Sequence, residues 1–201
     1  MAAPPAAEPA QRVLVACVGN SLRGDDGFGI AVAAELHTAL PAGVELIETG
    51  IGGLGIVHAL MDGYDALVIV DAVERAASPG TVFVLIPQVP HVDTPTFDEW
   101  RAQLADLHLA EPSRVLRIAR AAGVLPPQVF VVGCQPQTCE DFEEGLSHVV
   151  AEAVPVAARH VRRLVDDLLS GALRAGAVAS AGVGEQVRCA RCDLVTHVDG
   201  C

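Results

Sequence analysis

The sequence predicts an α/β fold in three layers, with a mostly parallel, five-stranded twisted sheet between helices on both of its faces. Short apolar segments of strand length alternate with longer segments that have helical periodicity. Residues 66–70 are apolar at every position, which is typical of a strand buried on both sides. The 201 residues suit one domain with a single core, which Val, Leu, Ile and Ala must fill because only 3% of the residues are aromatic.

The first strand and the first helix follow each other closely. Residues 13–18 form an apolar strand that ends at a turn beginning with Gly19. A helix is predicted from about residue 27 until Pro41, with Asp25 or Asp26 at the position of an N-cap. Its apolar residues lie along one stripe: Phe28, Val32, Leu36 and Leu40.

Further strands and helices continue the alternation. Strands are predicted at residues 44–47, 66–70, 82–86 and 129–132. Helices are predicted through 58–61, over 97–107, from a Ser113 cap to about 122, and over 142–169. Pro155 is expected to kink the last helix or to split it. The crossovers between parallel strands should be right-handed.

The chain is expected to have one folded domain with peripheral segments at both ends. Residues 1–11 are a flexible leader rich in Ala and Pro, and residues 12–169 form the domain. Residues 170–188, rich in Ala, Gly, Ser and Val, are predicted to be a linker. Residues 189–201 form a separate Cys-rich tail.

Composition excludes several classes of function. The formal net charge is −12, whereas nucleic-acid binding needs clustered Lys and Arg, so no nucleic-acid partner is expected. The acidic surface disfavours anionic membranes, and the apolar runs are too short to span a bilayer. The N-terminus lacks the charged and apolar regions of a signal peptide. We therefore expect a cytoplasmic protein whose six cysteines are reduced thiols.

Asp26 and Asp71 follow two strands that are expected to be neighbours. Ligands of open α/β sheets bind beyond the carboxyl ends of the strands, where the strand order reverses. If the order begins 2-1-3, Asp26 after the first strand and Asp71 after the third face one crevice. Two such carboxylates can share a proton, position a water molecule or bind a cation, and an added imidazole would suit a divalent transition metal. The alternative is structural, with Asp26 as a helix cap and Asp71 as the end of a strand.

Four ordered motifs resemble those of the nickel–iron hydrogenase maturation endopeptidases. They are VGNSLRGDDGFG at residues 18–29, VIVDAV at 68–73, GCQP at 133–136 and GLS at 145–147. Residues 50–55 occupy the place of the family's glycine-rich turn. The resemblance covers roughly residues 12–169 and implies a phosphorylase/hydrolase-like fold.

The resemblance also implies a function. Members of this family remove a C-terminal extension from the large-subunit precursor of a nickel–iron hydrogenase after nickel insertion. The implied partner is that precursor, and the implied metal is the nickel that it carries, in a site that other divalent metals can occupy. The implied activity is that of an aspartic-type or metal-gated endopeptidase, with Asp26 and Asp71 as catalytic residues and metal contacts. The substrate contacts implied for the glycine-rich turn are Gly50, Gly52 and Gly53.

A histidine is the third metal contact that the resemblance implies. His108 has the family's approximate spacing to the following helix, although Leu107 and Leu109 replace the usual polar neighbours. His91, in a Pro-rich stretch, is the rival position. The structural alternative for His108 is a favourable position at the C-terminal end of a helix.

The tail has ligands for a second metal. Cys189, Cys192, His197 and Cys201 are soft or borderline ligands of the kind that tetrahedral zinc requires. The alternative is a redox-active or accidental cysteine pair. For the whole chain, the alternative to an endopeptidase is a non-catalytic nickel-sensing chaperone or docking protein for the hydrogenase precursor. A nucleotide-binding domain is disfavoured because the glycines of residues 19–24 have the wrong spacing.

Overall fold

The computed structural model describes residues 11–38, 40–50, 53–89, 112–139 and 144–173, with the backbone of 186–188 and 195–197. Its strands are β1 (Val13–Val18), β2 (Val44–Gly50), β3 (Ala66–Ala72), β4 (Val82–Leu85), β5 (Gln128–Cys134), β6 (Gln186–Arg188) and β7 (Val195–His197). Its helices are α1 (Phe28–Leu36), α2 (Leu54–Leu60), α3 (Pro112–Ala121) and α4 (His148–Leu169). A short 3-10 helix, Gly24–Gly27, precedes α1.

The sheet has the order β2-β1-β3-β5-β4-β7-β6. Strands β2, β1, β3 and β5 are parallel neighbours, and β4 is antiparallel to β5. The mostly parallel, five-stranded sheet is thus confirmed for β1 to β5, together with the 2-1-3 order. The hairpin of β6 and β7 extends it, because β7 pairs parallel to β4. The boundary predicted at residue 188 therefore falls inside a hairpin that joins the sheet.

The direction of β4 follows from the chain between β3 and β4. A parallel partner requires the chain to return to the amino end of the strands before it starts again, usually through a crossover helix. Residues 73–81 contain no helix, and their backbone turns at Gly80, where φ is +80°. The chain therefore returns from the carboxyl end of β3 in the opposite direction.

Two apolar cores lie on the two faces of the sheet, as the three-layer prediction requires, so the expectation of a single core is wrong. One core packs α1 and α4 against the sheet, and the other packs α2 and α3. Strand β3 serves both cores, because Val68 and Val70 face the first and Leu67 and Ile69 face the second. Each of these fully buried side chains contributes about 1.5–3 kcal/mol of transfer free energy.

Two helix starts differ from the prediction. The N-cap of α1 is Gly27 and makes no side-chain hydrogen bond, so the expectation that Asp25 or Asp26 caps this helix is wrong. Helix α3 starts at Pro112, so Ser113 lies within its first turn. Proline is favoured there because its missing N–H has no partner in a first turn.

The last helix also starts later than predicted, at His148, because Gly145 adopts a positive φ of +86° and interrupts a helical backbone. It continues through Pro155. Apolar residues on both sides of the proline pack into one core, which offsets the missing backbone hydrogen bond. The helix predicted over 97–107 lies outside the described residues. Among the residues that are described, no helix has the length and apolar character needed to cross a bilayer.

Candidate active site

Asp26 and Asp71 are brought to the same end of the sheet by two adjacent strands. Asp71 is the last residue but one of β3, where it lies opposite Gly133 of β5. Asp26 belongs to the 3-10 helix that follows β1, the other neighbour of β3. The strand is longer than predicted, so Asp71 lies within it rather than after it.

Two glycines allow the loop after β1 to close onto the sheet. A Cβ atom at Gly29 would lie 2.1 Å from the carbonyl oxygen of Val18 and 2.5 Å from that of Val70. Helix α1 can therefore begin directly against the ends of β1 and β3 only because this position has no side chain. A Cβ atom at Gly19 would lie 2.1 Å from the carbonyl oxygen of Asp26, which accepts a hydrogen bond from the Asn20 amide at 3.1 Å.

The two carboxyl groups influence each other electrostatically. Asp71 is 6% exposed, and burial together with the nearby Asp26 charge holds its pKa well above the ordinary value for aspartate. Burial also raises the pKa of the half-buried Asp26, against the opposing effects of the Arg23 guanidinium and the Asn20 amide. The arrangement therefore favours a proton on Asp71 while the site holds no cation.

Asp25, beside Asp26 in the sequence, has a different environment. Its side chain is fully buried, and Oδ2 accepts hydrogen bonds from the amides of Gln137 (2.7 Å) and Thr138 (3.1 Å). The Ser147 amide donates to Oδ1 at 2.7 Å, and the Ser147 hydroxyl donates to Oδ2 at 2.9 Å. Asp25 thereby ties the loop that carries Asp26 to the loop after β5 and to the start of α4.

Gln135 organises the loop after β3 in a similar way. Its side chain is 3% exposed, and Oε1 accepts hydrogen bonds from the amides of Arg75 (2.7 Å) and Ala77 (3.3 Å). Its Nε2 donates to the Glu74 carboxylate at 2.7 Å. Sequence reasoning missed the positioning roles of Asp25, Gln135 and Ser147. The GCQP and GLS motifs contain the signal, because each includes a polar residue. Gln135 binds the loop after β3, and Ser147 binds Asp25.

The other predicted site residues are only partly described. Gly50 has a φ of +53° with open space around it, which suits a turn. At Gly53 a Cβ atom would lie 2.2 Å from Cγ2 of Val115, so close packing of α2 on α3 accounts for that glycine. Gly52, His91 and His108 lie outside the described residues.

The described part of the chain contains no cluster of three or more His, Cys, Asp or Glu side chains that could hold a metal ion. What it provides is a pair of carboxyl groups, suited to proton transfer or to two oxygen ligands. In the tail, Cys189, Cys192 and Cys201 lie outside the described residues. Only the backbone of His197 is described, in β7.

Comparison with known proteins gives a consistent answer. The family model for the HycI hydrogenase maturation protease matches residues 30–163, a range that includes Asp71 and begins just after Asp26. Hydrogenase expression/formation protein HupD of Rhodobacter capsulatus is 36% identical over 164 residues, which are 80% of this chain and 74% of that protein. Hydrogenase expression/formation protein HoxM of Azotobacter vinelandii is 30% identical over 152 residues, which are 75% of this chain and 70% of that protein.

Solved structures agree with these relatives. The hydrogenase maturating endopeptidase HybD from E. coli has a TM-score of 0.62 and 25% identity, covering 79% of this chain and 94% of its own. The hydrogenase 2 maturation peptidase from Thaumarchaeota archaeon SCGC_AB-539-E09 has a TM-score of 0.55 and 34% identity, covering 77% and 98%. The resemblance first seen in four short motifs is therefore confirmed, and the chain belongs to the hydrogenase maturation protease family.

Proposed function

We propose that this chain is an endopeptidase that removes the C-terminal extension of a nickel–iron hydrogenase large-subunit precursor after nickel has been inserted. The observation that carries the proposal is the carboxyl pair of Asp26 and Asp71 at the ends of two adjacent strands, in a member of this family. A cytoplasmic location is part of the proposal, because the enzyme must meet its precursor in the compartment where that precursor matures.

The chemistry begins when nickel carried by the precursor docks on Asp26 and Asp71, with His108 as the third contact. A cation stabilises the ionised form of a carboxyl group, so docking opposes the burial that raises the pKa of Asp71 and favours its carboxylate. The scissile peptide bond then lies beside a water molecule that a carboxylate activates. The water adds to the peptide carbonyl, the C–N bond breaks, and the amine that leaves takes up a proton. This is the aspartic-type, metal-gated mechanism that the site supports.

The decisive experiment compares cleavage of nickel-loaded and nickel-free precursor by the full-length protein. Mass measurement of the precursor C-terminus reports cleavage directly. We expect cleavage only with nickel, because the metal orients the substrate. Equal rates for the two precursors would overturn metal gating. Binding of nickel-loaded precursor without cleavage would instead identify a docking protein or chaperone.

Variants test the assignment of the site. Asp71→Asn and Asp26→Asn should each lower kcat/KM by at least about a hundredfold, the usual range for loss of a general acid or base. Glu152→Gln is a matched control, because this exposed carboxylate lies on α4 and pairs only with His148 at 3.4 Å among the ion pairs described. Full activity of Asp71→Asn would show that Asp71 is not catalytic. His108→Ala and His91→Ala distinguish the two candidates for the third contact.

For the Cys-rich tail we propose a zinc site formed by Cys189, Cys192, His197 and Cys201, on the strength of ligand type and spacing. Zinc content would be measured in the full chain and in a truncation after Ser170. We expect one zinc ion per chain in the full protein and none in the truncation. Equal zinc content would place the metal elsewhere.

A further inference from the structure

A cavity of about 550 Å³ begins at Ala72, the residue after Asp71, and is lined by the ends of β3 and β4 with the chain that follows each, by the middle of β5 and by the first turns of α3. This volume is typical of a pocket that encloses a small ligand or a few side chains. Its wall is largely apolar, and its charged residues are Glu74, Arg75 and Arg117, of which Arg117 is an exposed residue of α3. The apolar residues that form it include Val73, Leu85, Leu116 and Val131.

The cavity lies on the same face of the sheet as the Asp71 side chain. Leu67 and Ile69 face the core with α2 and α3, so the two-residue period of the strand directs Asp71 to that face as well. Ile69 is paired with Val131 of β5, which in turn is paired with Leu85 of β4. Ala72, the residue after Asp71, lines the cavity, and neighbouring strands lie about 4.8 Å apart, so the cavity extends from the end of β3 to about 10 Å across the sheet.

The order of these features across the sheet gives the direction of a substrate. Asp26 follows β1, Asp71 lies in β3, and the cavity lies beyond β3 on the side of β5 and β4. Under the proposed function, the nickel of the precursor contacts both carboxylates, so the scissile bond lies beside them. The polypeptide that continues past the scissile bond can then pass towards the cavity, and a single extended segment can enter where a folded domain cannot.

We infer that this cavity is a specificity subsite, which takes an apolar side chain of the C-terminal extension two or three residues beyond the scissile bond. The inference rests on the proposed function. An extended peptide rises about 3.3 Å per residue, so two or three residues span the distance from Asp71. Arg117 favours an acidic side chain next to the enclosed apolar one, since a guanidinium pairs well with a carboxylate.

The test measures how the enzyme and substrate variants depend on each other. Nickel-loaded precursors would carry Leu or Ala at the second or third position beyond the scissile bond. Wild-type protein should prefer Leu by roughly tenfold or more in kcat/KM, the scale of lost methylene groups in an apolar pocket. Ser113→Trp, which fills the cavity from α3, should abolish this preference. Ala121→Trp is the matched control at the exposed end of the same helix and should keep it.

The charge at Arg117 supplies a second test that does not depend on filling the cavity. Wild-type protein should cleave a precursor with Glu beside the apolar residue faster than one with Arg. Arg117→Glu should reverse that order, by a factor of about five or less because the pair is exposed. Arg159→Glu, on the exposed side of α4, is the control. A variant that merely damages the fold would slow all precursors alike.

The outcomes separate this inference from the proposed function. Retained preference for Leu in a folded Ser113→Trp protein, with no reversal in Arg117→Glu, would overturn the subsite while cleavage itself continues. If wild-type protein cleaves no precursor, the proposed function fails, and the subsite is judged by binding instead. Fluorescence anisotropy would measure the affinity for a labelled peptide with the first residues of the extension. This affinity should be lower for Ser113→Trp than for wild-type protein and unchanged for Ala121→Trp. Equal binding by both variants would overturn the subsite.

Discussion

Replacement of Asp25 should lower the free energy of unfolding much more than replacement of its neighbour Asp26. Asp25→Ala leaves three buried or half-buried backbone amides and the Ser147 hydroxyl without their acceptor. Net contributions of hydrogen bonds to a charged group are about 1.5–3 kcal/mol each, and removal of the buried charge offsets part of the sum. We therefore expect Asp25→Ala to lower the free energy of unfolding by about 3–5 kcal/mol.

A more conservative change refines the same prediction. In Asp25→Asn, the remaining oxygen can take the place of Oδ2 and keep three of the hydrogen bonds. The amide nitrogen then faces the Ser147 amide, so one bond is lost and two donors meet. The expected loss is about 1–3 kcal/mol, the cost of one unsatisfied buried donor. Asp26→Ala should change stability by less than about 1 kcal/mol, because that side chain is only half-buried.

Urea denaturation, followed by circular dichroism and extrapolated linearly to zero denaturant, measures all three values. The expected ranking of the loss is Asp25→Ala first, then Asp25→Asn, and then Asp26→Ala. The same samples would be assayed for cleavage, where Asp26→Ala should be inactive although it is fully folded. A loss below about 1 kcal/mol for Asp25→Ala, or equal losses for both alanine variants, would refute the anchoring role of Asp25.

Three other outcomes follow from the structure. Without metal, burial and the Asp26 charge disfavour ionised Asp71 in the folded state. The free energy of unfolding should therefore fall as pH rises from the ordinary pKa of aspartate through the raised pKa of Asp71. Urea titrations at several pH values should show this fall for wild-type protein and not for Asp71→Asn. Gly29→Ala should lower the free energy of unfolding by at least about 1 kcal/mol, because its Cβ would overlap two backbone oxygens. Gly55→Ala, in α2, should be neutral or stabilising in thermal melts, because its Cβ would make an ordinary 3.5 Å contact with the Thr49 side chain. Burial raises the pKa of Cys17 and of Cys134 to about 12, so at pH 8 both should resist iodoacetamide until urea is added, as peptide mass mapping would report.

The sheet and the carboxyl pair could be predicted because both depend on local patterns. Apolar runs alternating with helical segments identify parallel strands, and the rule for strand ends then places Asp26 and Asp71 together. The hairpin of β6 and β7 was not predicted because its strands are only three residues long and the segment around them, with Cys189 and Cys192, has no sustained apolar alternation. The antiparallel direction of β4 is not predicted by these patterns, because it depends on the short, helix-free connection between β3 and β4.

The roles within the Asp25-Asp26 pair could not be separated from sequence. Both are acidic, both follow the same strand, and either would suit a helix cap. The difference arises from tertiary contacts, because Asp25 is enclosed by Gln137, Thr138 and Ser147, which are distant in sequence. Gly53 is a similar case, since its packing partner Val115 lies on another helix.

The anchoring of Asp25 also has a consequence for protein synthesis. When β1, β2 and β3 have left the ribosome, the nascent chain already contains both Asp26 and Asp71. The donors that fix the loop of Asp26 are encoded much later, at residues 137, 138 and 147. Unfinished chains should therefore lack an ordered pair of carboxylates, and translation itself delays the peptidase until its last long helix can dock.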